Sequence, residues 1–430
     1  MFIWFLFLVI YIPFQIALNP RIGIDMSSLR VFIVLLTLFF IVKKIINRGL
    51  FKNNYFYNLQ GACLVLFLFL SCFSLISAEN IFWGIRKIIF FLSIFPLFFL
   101  SIALINNRKK IIKTKLVLII SGIFLALVGL IQFLSQFIFS LEGTYNFWAI
   151  NILPVFSGFN LGFMILTYPS WLVNISGETI MRAFSFFSDP HMLSFYLGIT
   201  IPLVLSLFYF KKNKKFLIFT SYFLLFIVLL LTFARGAYLA IIVSFIILAF
   251  LFWRYLDNKK ISLLLLLSLL IFILPITPIS DRFYSSFNLN EGSNMGRLEM
   301  WQIASKTGMS SFWYGIGLGN YSLTIDSELD YRNPATAHNL YLDIFSEIGF
   351  FGLIAWLFLI LGTIWQIFRR LKFLDNENQK CISICLIGSL SYFFIHSFFE
   401  TAIYHPSVLA LLMVILGLSF ALIKNNEQNN

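Results

Sequence analysis

The chain has 430 residues, of which 60% are hydrophobic, 55 are phenylalanine and only 11% are charged, with a formal net charge of +13 and a mean hydropathy of +0.92. Soluble domains carry roughly 45–50% apolar and about 25% charged residues, so this composition excludes a soluble globular protein and indicates a polytopic membrane protein. The excess of cations needs neither a nucleic acid partner nor an anionic substrate, because its placement reads as a topology signal.

A bilayer core requires about 20 apolar residues per helix. In chain order, apolar runs lie near 1–18, 31–47, 60–78, 82–104, 116–139, 191–210, 216–234, 237–253, 261–278, 348–368, 381–397 and 406–424. They predict an all-α fold of about twelve membrane-spanning helices in one integral membrane domain, 1–430. The first run, "MFIWFLFLVIYIPFQIAL", has neither a basic start nor a small-residue cleavage site. It reads as a retained span rather than a signal peptide.

Lysine and arginine cluster at alternate connections: Lys43 to Lys52, Arg108 to Lys115, Lys211 to Lys215, Arg254 to Lys260, and Arg369 to Lys380, with Lys424 at the end. The positive-inside rule then places both termini in the cytoplasm. Two outer segments are long. Residues 140–190 separate the fifth and sixth predicted helices, and 279–347 separate the ninth and tenth. Their aromatic residues, Trp148, Trp171, Trp301 and Trp313, predict that both fold over the outer face. Long connections inside compact architectures are usually functional or disordered. The stretch "FSGFNLGFMILTYPSWLV" predicts an interfacial helix or a re-entrant piece. No internal repeat is evident, which argues against an inverted-repeat transporter.

Cys63, Cys72, Cys381 and Cys385 lie within apolar runs and read as small buried hydrophobes. No disulfide framework is suggested. The histidines, at 191, 338, 396 and 405, are dispersed, and no HExxH or DxD pair is present. The site residues are therefore expected to hold no metal and no cofactor.

Several polar residues stand out against this background. Arg182 precedes "FSFFSDPHMLSF", where Asp189-Pro190 reads as the cap and first turn of the sixth helix and His191 follows it. Arg235, in "LLLTFARGAYLAIIV", interrupts an apolar stretch. It reads as the outer tip of a hairpin that places a permanently charged, bidentate group at the membrane surface. Arg86 and Lys87 also fall within a predicted span. A helix over about 295–306 puts Arg297 and Trp301 on one face. "GIGLGN" lacks the strand and helix context of a nucleotide loop and reads as a tight turn allowing close backbone approach. His338 stands at a helix entrance that Thr336 or Asn339 can cap, with Asp343 and Glu347 in the dipole-favoured turns. Its imidazole is placed either to face water or to exchange a proton near neutral pH. Arginine forks match phosphate oxygens. Such clamps with one histidine on an outer face fit group transfer from a phosphate or pyrophosphate leaving group.

"LTFARGAYLA", "GRLEMWQIA", "YGIGLGNYS" and "AHNLYLDIFSEIGFFGLIAW", in that order, resemble the O-antigen ligase / Wzy polymerase superfamily, best over 216–368 and extending upstream through "MRAFSFFSDPHMLSFYLG". The resemblance implies a GT-C-like, metal-independent membrane glycosyltransferase with a large extracytoplasmic loop between helices nine and ten. It would act at the outer side of the cytoplasmic membrane. Its donor would be a polyprenyl pyrophosphate-linked oligosaccharide or polysaccharide, and its acceptor a glycan, lipid or protein. Arg235 and Arg297 would contact the pyrophosphate, and His338 would act on or orient the acceptor hydroxyl. Arg182, His191, Trp301 and Asn339 would complete the substrate site. The chain departs from the family pattern at Ala234, where serine is frequent, and at His191, where asparagine is frequent. A polymerase using a lipid-linked acceptor shares these motifs. A lipid-linked glycan transporter would also account for cations within spans.

Overall fold

The computed structural model describes residues 1–21, 24–47, 58–158, 164–167, 170–175, 177–210, 214–274, 278–289, 291–329 and 334–427. Helices dominate: α1 (Phe2–Tyr11), α2 (Ser28–Ile46), α3 (Leu59–Phe73), α4 (Ile81–Ile94), α5 (Pro96–Leu104) and α6 (Arg108–Phe139). After the first outer segment come α7 (Pro190–Phe210), α8 (Lys215–Leu231), α9 (Arg235–Leu256) and α10 (Lys259–Ser268). The second outer segment contains α11 (Gly292–Ser310), and α12 (Leu340–Leu371), α13 (Glu377–His396) and α14 (Pro406–Glu427) follow. Each predicted apolar run is helical over most of its length. Among the described residues, seven helical stretches are long and apolar enough to cross a membrane: 59–77, 81–104, 108–139, 190–209, 235–256, 340–371 and 406–424.

The local signals are simple. Continuous Leu, Ile and Phe runs leave backbone groups no solvent to bond to, so the chain satisfies them within each helix. Asparagine side chains start many of these helices. Asn58 accepts from Gly61 N–H (2.6 Å), Asn107 from Lys110 (3.0 Å), Asn258 from Ile261 (3.1 Å) and Asn376 from Asn378 (3.1 Å). Each satisfies an otherwise orphaned donor of the first turn. Pro96 begins α5 directly after α4, dividing one apolar run into two helices.

The centre of the bundle is packed closely. α9 and α7 lie against α13, where a Cβ on Gly198 would fall 2.0 Å from the Tyr392 ring and one on Gly388 2.6 Å from Leu248. Small residues let helix backbones approach where lipid supplies no hydrophobic drive for association. Side-chain bonds add direction: Tyr392 donates to Ser194 O (2.8 Å), Ser389 to Ile199 O (2.7 Å) and Ser244 to Gly388 O (3.0 Å). Cys63, Cys381 and Cys385 are buried here as free thiols, whereas Cys72 is exposed.

The connections between the helices contain strand as well as helix. β1 (Ala17–Arg21) pairs antiparallel with β2 (Ile24–Ser27), and β3 (Leu172–Ile175) with β4 (Glu178–Met181). Neither hairpin was anticipated. Part of "FSGFNLGFMILTYPSWLV" lies outside the described residues, and its last residues enter β3 rather than a helix. Residues 140–190 have a small core of their own, in which Trp171 stacks on Phe184 at 3.8 Å between ring centroids.

α12 starts at Leu340, well before the predicted 348, and is broken at Gly349, whose φ is +81°. The "GIGLGN" turn docks against this break. Gly315, Gly317 and Gly319 have φ of +69°, +100° and +85°. Ile316 N–H donates to Ser346 O (2.9 Å), and Gly317 N–H to Glu347 O (3.0 Å). A Cβ on Gly315 would lie 2.3 Å from the Glu347 carbonyl carbon, so glycine is required by the close approach.

Candidate functional site

Arg182, His191, Arg235, Arg282, Arg297 and His338 open into one cavity of about 480 Å³, with Ser170, Phe233, Ser293, Gly296 and Met300 completing its wall. They come from widely separated parts of the chain. Arg235 is the first residue of α9, after a turn in which Phe233 has φ +48°. Arg182 follows β4. His191 stands in the first turn of α7, where Asp189 accepts its N–H at 2.6 Å. Arg297 projects from α11, which runs further in both directions than the predicted 295–306.

Arg182 and Arg235 are buried, Arg282 and Arg297 partly so. Arg182 is 8% exposed. Its Nε donates to Thr232 O at 2.7 Å, its Nη1 to Ser170 O at 3.3 Å, and its Nη2 lies 3.4 Å from His191 Nε2. It thus ties the segment before α7 to the turn before α9. Burial lowers its pKa to about 10, which leaves it cationic at neutral pH. Arg235 is 4% exposed. It pairs with Glu291 and donates to Ser285 O and Ser293 Oγ. Arg282 donates to the other oxygen of the same carboxylate at 3.3 Å, and burial lowers its pKa as well. The Glu291 carboxylate therefore bridges two guanidinium groups, a geometry equally suited to two oxygens of a phosphate.

His338 lines the same cavity with φ +49°, a left-handed conformation uncommon for a non-glycine residue. Two clasps hold it there. Asn339 accepts from Tyr341 and Leu342 N–H (3.0 and 3.2 Å), fixing the start of α12. Asp343 accepts from Ala337 N–H (2.8 Å) and from the Thr401 hydroxyl. Leu340 N–H donates to Ser397 O (2.9 Å), joining this corner to the connection after α13.

That connection supplies Glu400, which sequence reasoning did not single out. It is 5% exposed. Its Oε1 and Oε2 lie 3.0 and 3.1 Å from His338 Nδ1, and Oε2 lies 3.9 Å from both His191 Nε2 and Arg297 Nη2. Burial alone would raise the Glu400 pKa. The His338 charge and hydrogen bond outweigh that and hold it below the usual carboxylate range. The same carboxylate, against some opposition from burial, raises His338 to about 9. The side chain remains 47% exposed and lines the cavity, where the raised pKa makes it an imidazolium at neutral pH. Asp189 shifts upward, through burial and then the charge of Glu400.

Two expected site residues are placed elsewhere. Trp301 packs with Ala304, Tyr321 and Ala337 in a small satellite core, its ring 6.5 Å from Phe399. Asn339 is buried as a helix cap. Both support the cavity wall without lining it. Arg282, Glu291 and Ser293 were not picked out beforehand because the outer segment is nearly balanced in charge. The only advance signal for Glu400 was an acid in a short outer connection, 398–405, between two apolar runs.

The helical architecture and the seven candidate spans among the described residues define a multi-pass membrane protein with an arginine-rich cavity. Residues 220–357 match the family model described as O-Antigen ligase, in agreement with the motif resemblance. At the family level this match supports a function of the O-antigen ligase and polymerase kind. Arg235, Arg282, Arg297 and His338 fall inside the matched stretch, whereas Arg182, His191 and Glu400 fall outside it. No curated protein matches the chain.

Proposed function

We propose that this protein transfers glycan chains from a polyprenyl pyrophosphate-linked donor to an acceptor hydroxyl at the extracytoplasmic face of the cytoplasmic membrane. The observation that carries the reading is the convergence of four arginines, two of them buried, and His338 on one cavity of a membrane protein whose residues 220–357 match the ligase family model. Arg235 and Arg282 take the pyrophosphate oxygens in place of Glu291, and Arg182 and Arg297 complete the cationic wall. The acceptor oxygen bonds to the anomeric carbon as the bond from that carbon to the pyrophosphate oxygen breaks. The electron pair leaves on the polyprenyl pyrophosphate, whose charge the arginines stabilise. The His338 imidazolium orients the acceptor oxygen and the departing phosphate, and the acceptor proton passes to the pyrophosphate. Positioning and electrostatics carry the rate, with the chain's own cations doing what a metal does in other glycosyl transfers. The remaining apolar helices complete about twelve spans in a GT-C-like arrangement with both termini cytoplasmic.

Purified protein incubated with a polyprenyl pyrophosphate-linked glycan and acceptor should release polyprenyl pyrophosphate. His338→Ala should insert normally and abolish that release, and normal turnover by it would refute the reading. A reporter fused after residue 320 should report the outer side.

A further inference from the structure

A second cavity, of about 540 Å³, lies where α3 begins and α12 and α14 end. All three belong to candidate spans, so the cavity sits at a membrane–water boundary whichever way the chain is inserted. Gln60, Arg369, Arg370 and Lys424 supply its polar wall, with Leu59 and Phe373 beside them. None of the described residues lining it is acidic.

The wall is built, not merely charged. Gln60 is 1% exposed, and its Nε2 donates to Gln366 Oε1 at 2.6 Å, joining α3 to α12. Its Oε1 is buried and has no hydrogen-bond partner. A buried acceptor left unpaired is costly, and a ligand hydroxyl would satisfy it. Arg370 Nη1 donates to Ile423 O (2.7 Å), which fixes its guanidinium against the last turn of α14. Apolar surface continues from the cavity along the helices: Leu59 is 49% exposed, Phe373 75%, Leu66 48% and Phe69 62%.

We propose that this cavity binds the headgroup of an anionic glycerophospholipid carrying a free glycerol hydroxyl, such as phosphatidylglycerol. The phosphate lies among Arg369, Arg370 and Lys424, the glycerol hydroxyl donates to Gln60 Oε1, and the acyl chains follow the exposed face of α3. Basic pockets between spanning helices are suited to anionic headgroups. The site is distinct from the arginine cavity and shares no residue with it.

The test is native mass spectrometry of the purified full chain in detergent, titrated with dioleoyl phosphatidylglycerol, dioleoyl phosphatidylcholine of the same chains, dioleoyl phosphatidic acid, and inorganic phosphate. The wild type should retain phosphatidylglycerol in preference to phosphatidylcholine. Each of Arg369→Gln and Lys424→Gln should reduce that preference about fivefold. Gln60→Leu should weaken phosphatidylglycerol while leaving phosphatidic acid unchanged, and Arg369→Lys should keep the preference. Thermal melting in phosphatidylcholine confirms that each variant is folded. Equal retention of both lipids by the wild type, or unchanged retention by folded charge variants, would overturn the proposal. Displacement of phosphatidylglycerol by millimolar inorganic phosphate would overturn the assignment to a lipid.

Discussion

His338 Nδ1 and Glu400 Oε1 are 3.0 Å apart, although 62 residues and two apolar helices separate them in the chain. The contact keeps the histidine a cation at neutral pH, and the residue lines the arginine cavity. For the proposed transfer it favours orientation and charge stabilisation over proton abstraction, because a group with a pKa of about 9 is seldom an empty base near pH 7.

Turnover should therefore fall as pH rises through about 9, when the imidazolium is lost. Glu400→Gln should move that limb down toward the ordinary histidine value of about 6.5 and lower kcat about 100-fold. A pH–rate series on both proteins checks this, and a wild-type rate that climbs through pH 9 would show a base instead. The stability sign is also fixed. A raised histidine pKa contributes stability that is fully present below about 6.5 and lost as pH rises through about 9. Melting curves between pH 6 and 9.5 should show this loss in the wild type and little of it in Glu400→Gln.

Arg235 and Glu291 should act in opposite directions. Arg235→Lys retains charge but loses the planar fork, and turnover should fall about 100-fold. Glu291→Gln removes the carboxylate that occupies Arg235 and Arg282, so the donor KM should drop about fivefold. Steady-state kinetics with varied donor separates the two effects. A donor KM that rises in Glu291→Gln would show that the carboxylate organises the arginines rather than competing for them.

Lys87 lies within a candidate span and meets both Glu347 oxygens at 3.1 Å. Its ammonium sits 3.8 Å from the centroid of the Tyr404 ring, whose hydroxyl also donates to Glu347 (2.9 Å). Removing one partner of a fully buried pair costs about 3–5 kcal/mol, and less here because the Lys87 side chain is 21% exposed. Lys87→Met should therefore lower the melting temperature more than the double variant Lys87→Met/Glu347→Leu does. If the single and double variants melt together, the pair contributes nothing to the bundle.

Gly349→Ala tests the helix break. Its φ of +81° disfavours any other residue, and a Cβ there would lie 2.5 Å from the Trp313 carbonyl carbon. The variant should lose about 1–3 kcal/mol through backbone strain alone. It should also release the "GIGLGN" turn, detectable as new proteolysis between 311 and 320.

The sequence by itself determined where most helices lie and several of their starts, because both depend on near neighbours. Unbroken apolar runs close their own hydrogen bonds. Asp189-Pro190 and Asn339 cap helices through donors two or three residues away. The "GIGLGN" glycines announced a close backbone approach, though not its partner, the Ser346–Glu347 carbonyls. Arg182, Arg235, Arg297 and His338 were legible as residues whose charge or polarity is out of place in an apolar chain. Tertiary structure alone decided which of them share a cavity, and it brought in Glu400, Arg282 and Glu291. It also withdrew Trp301 and Asn339 from the cavity lining. The two short β-hairpins left little local pattern, since each strand has only four or five residues. The reason is common to all these cases. A helix is set by contacts within a few residues, whereas the protonation of His338 is set by a carboxylate that only the packing of α12 against α13 brings within hydrogen-bonding distance.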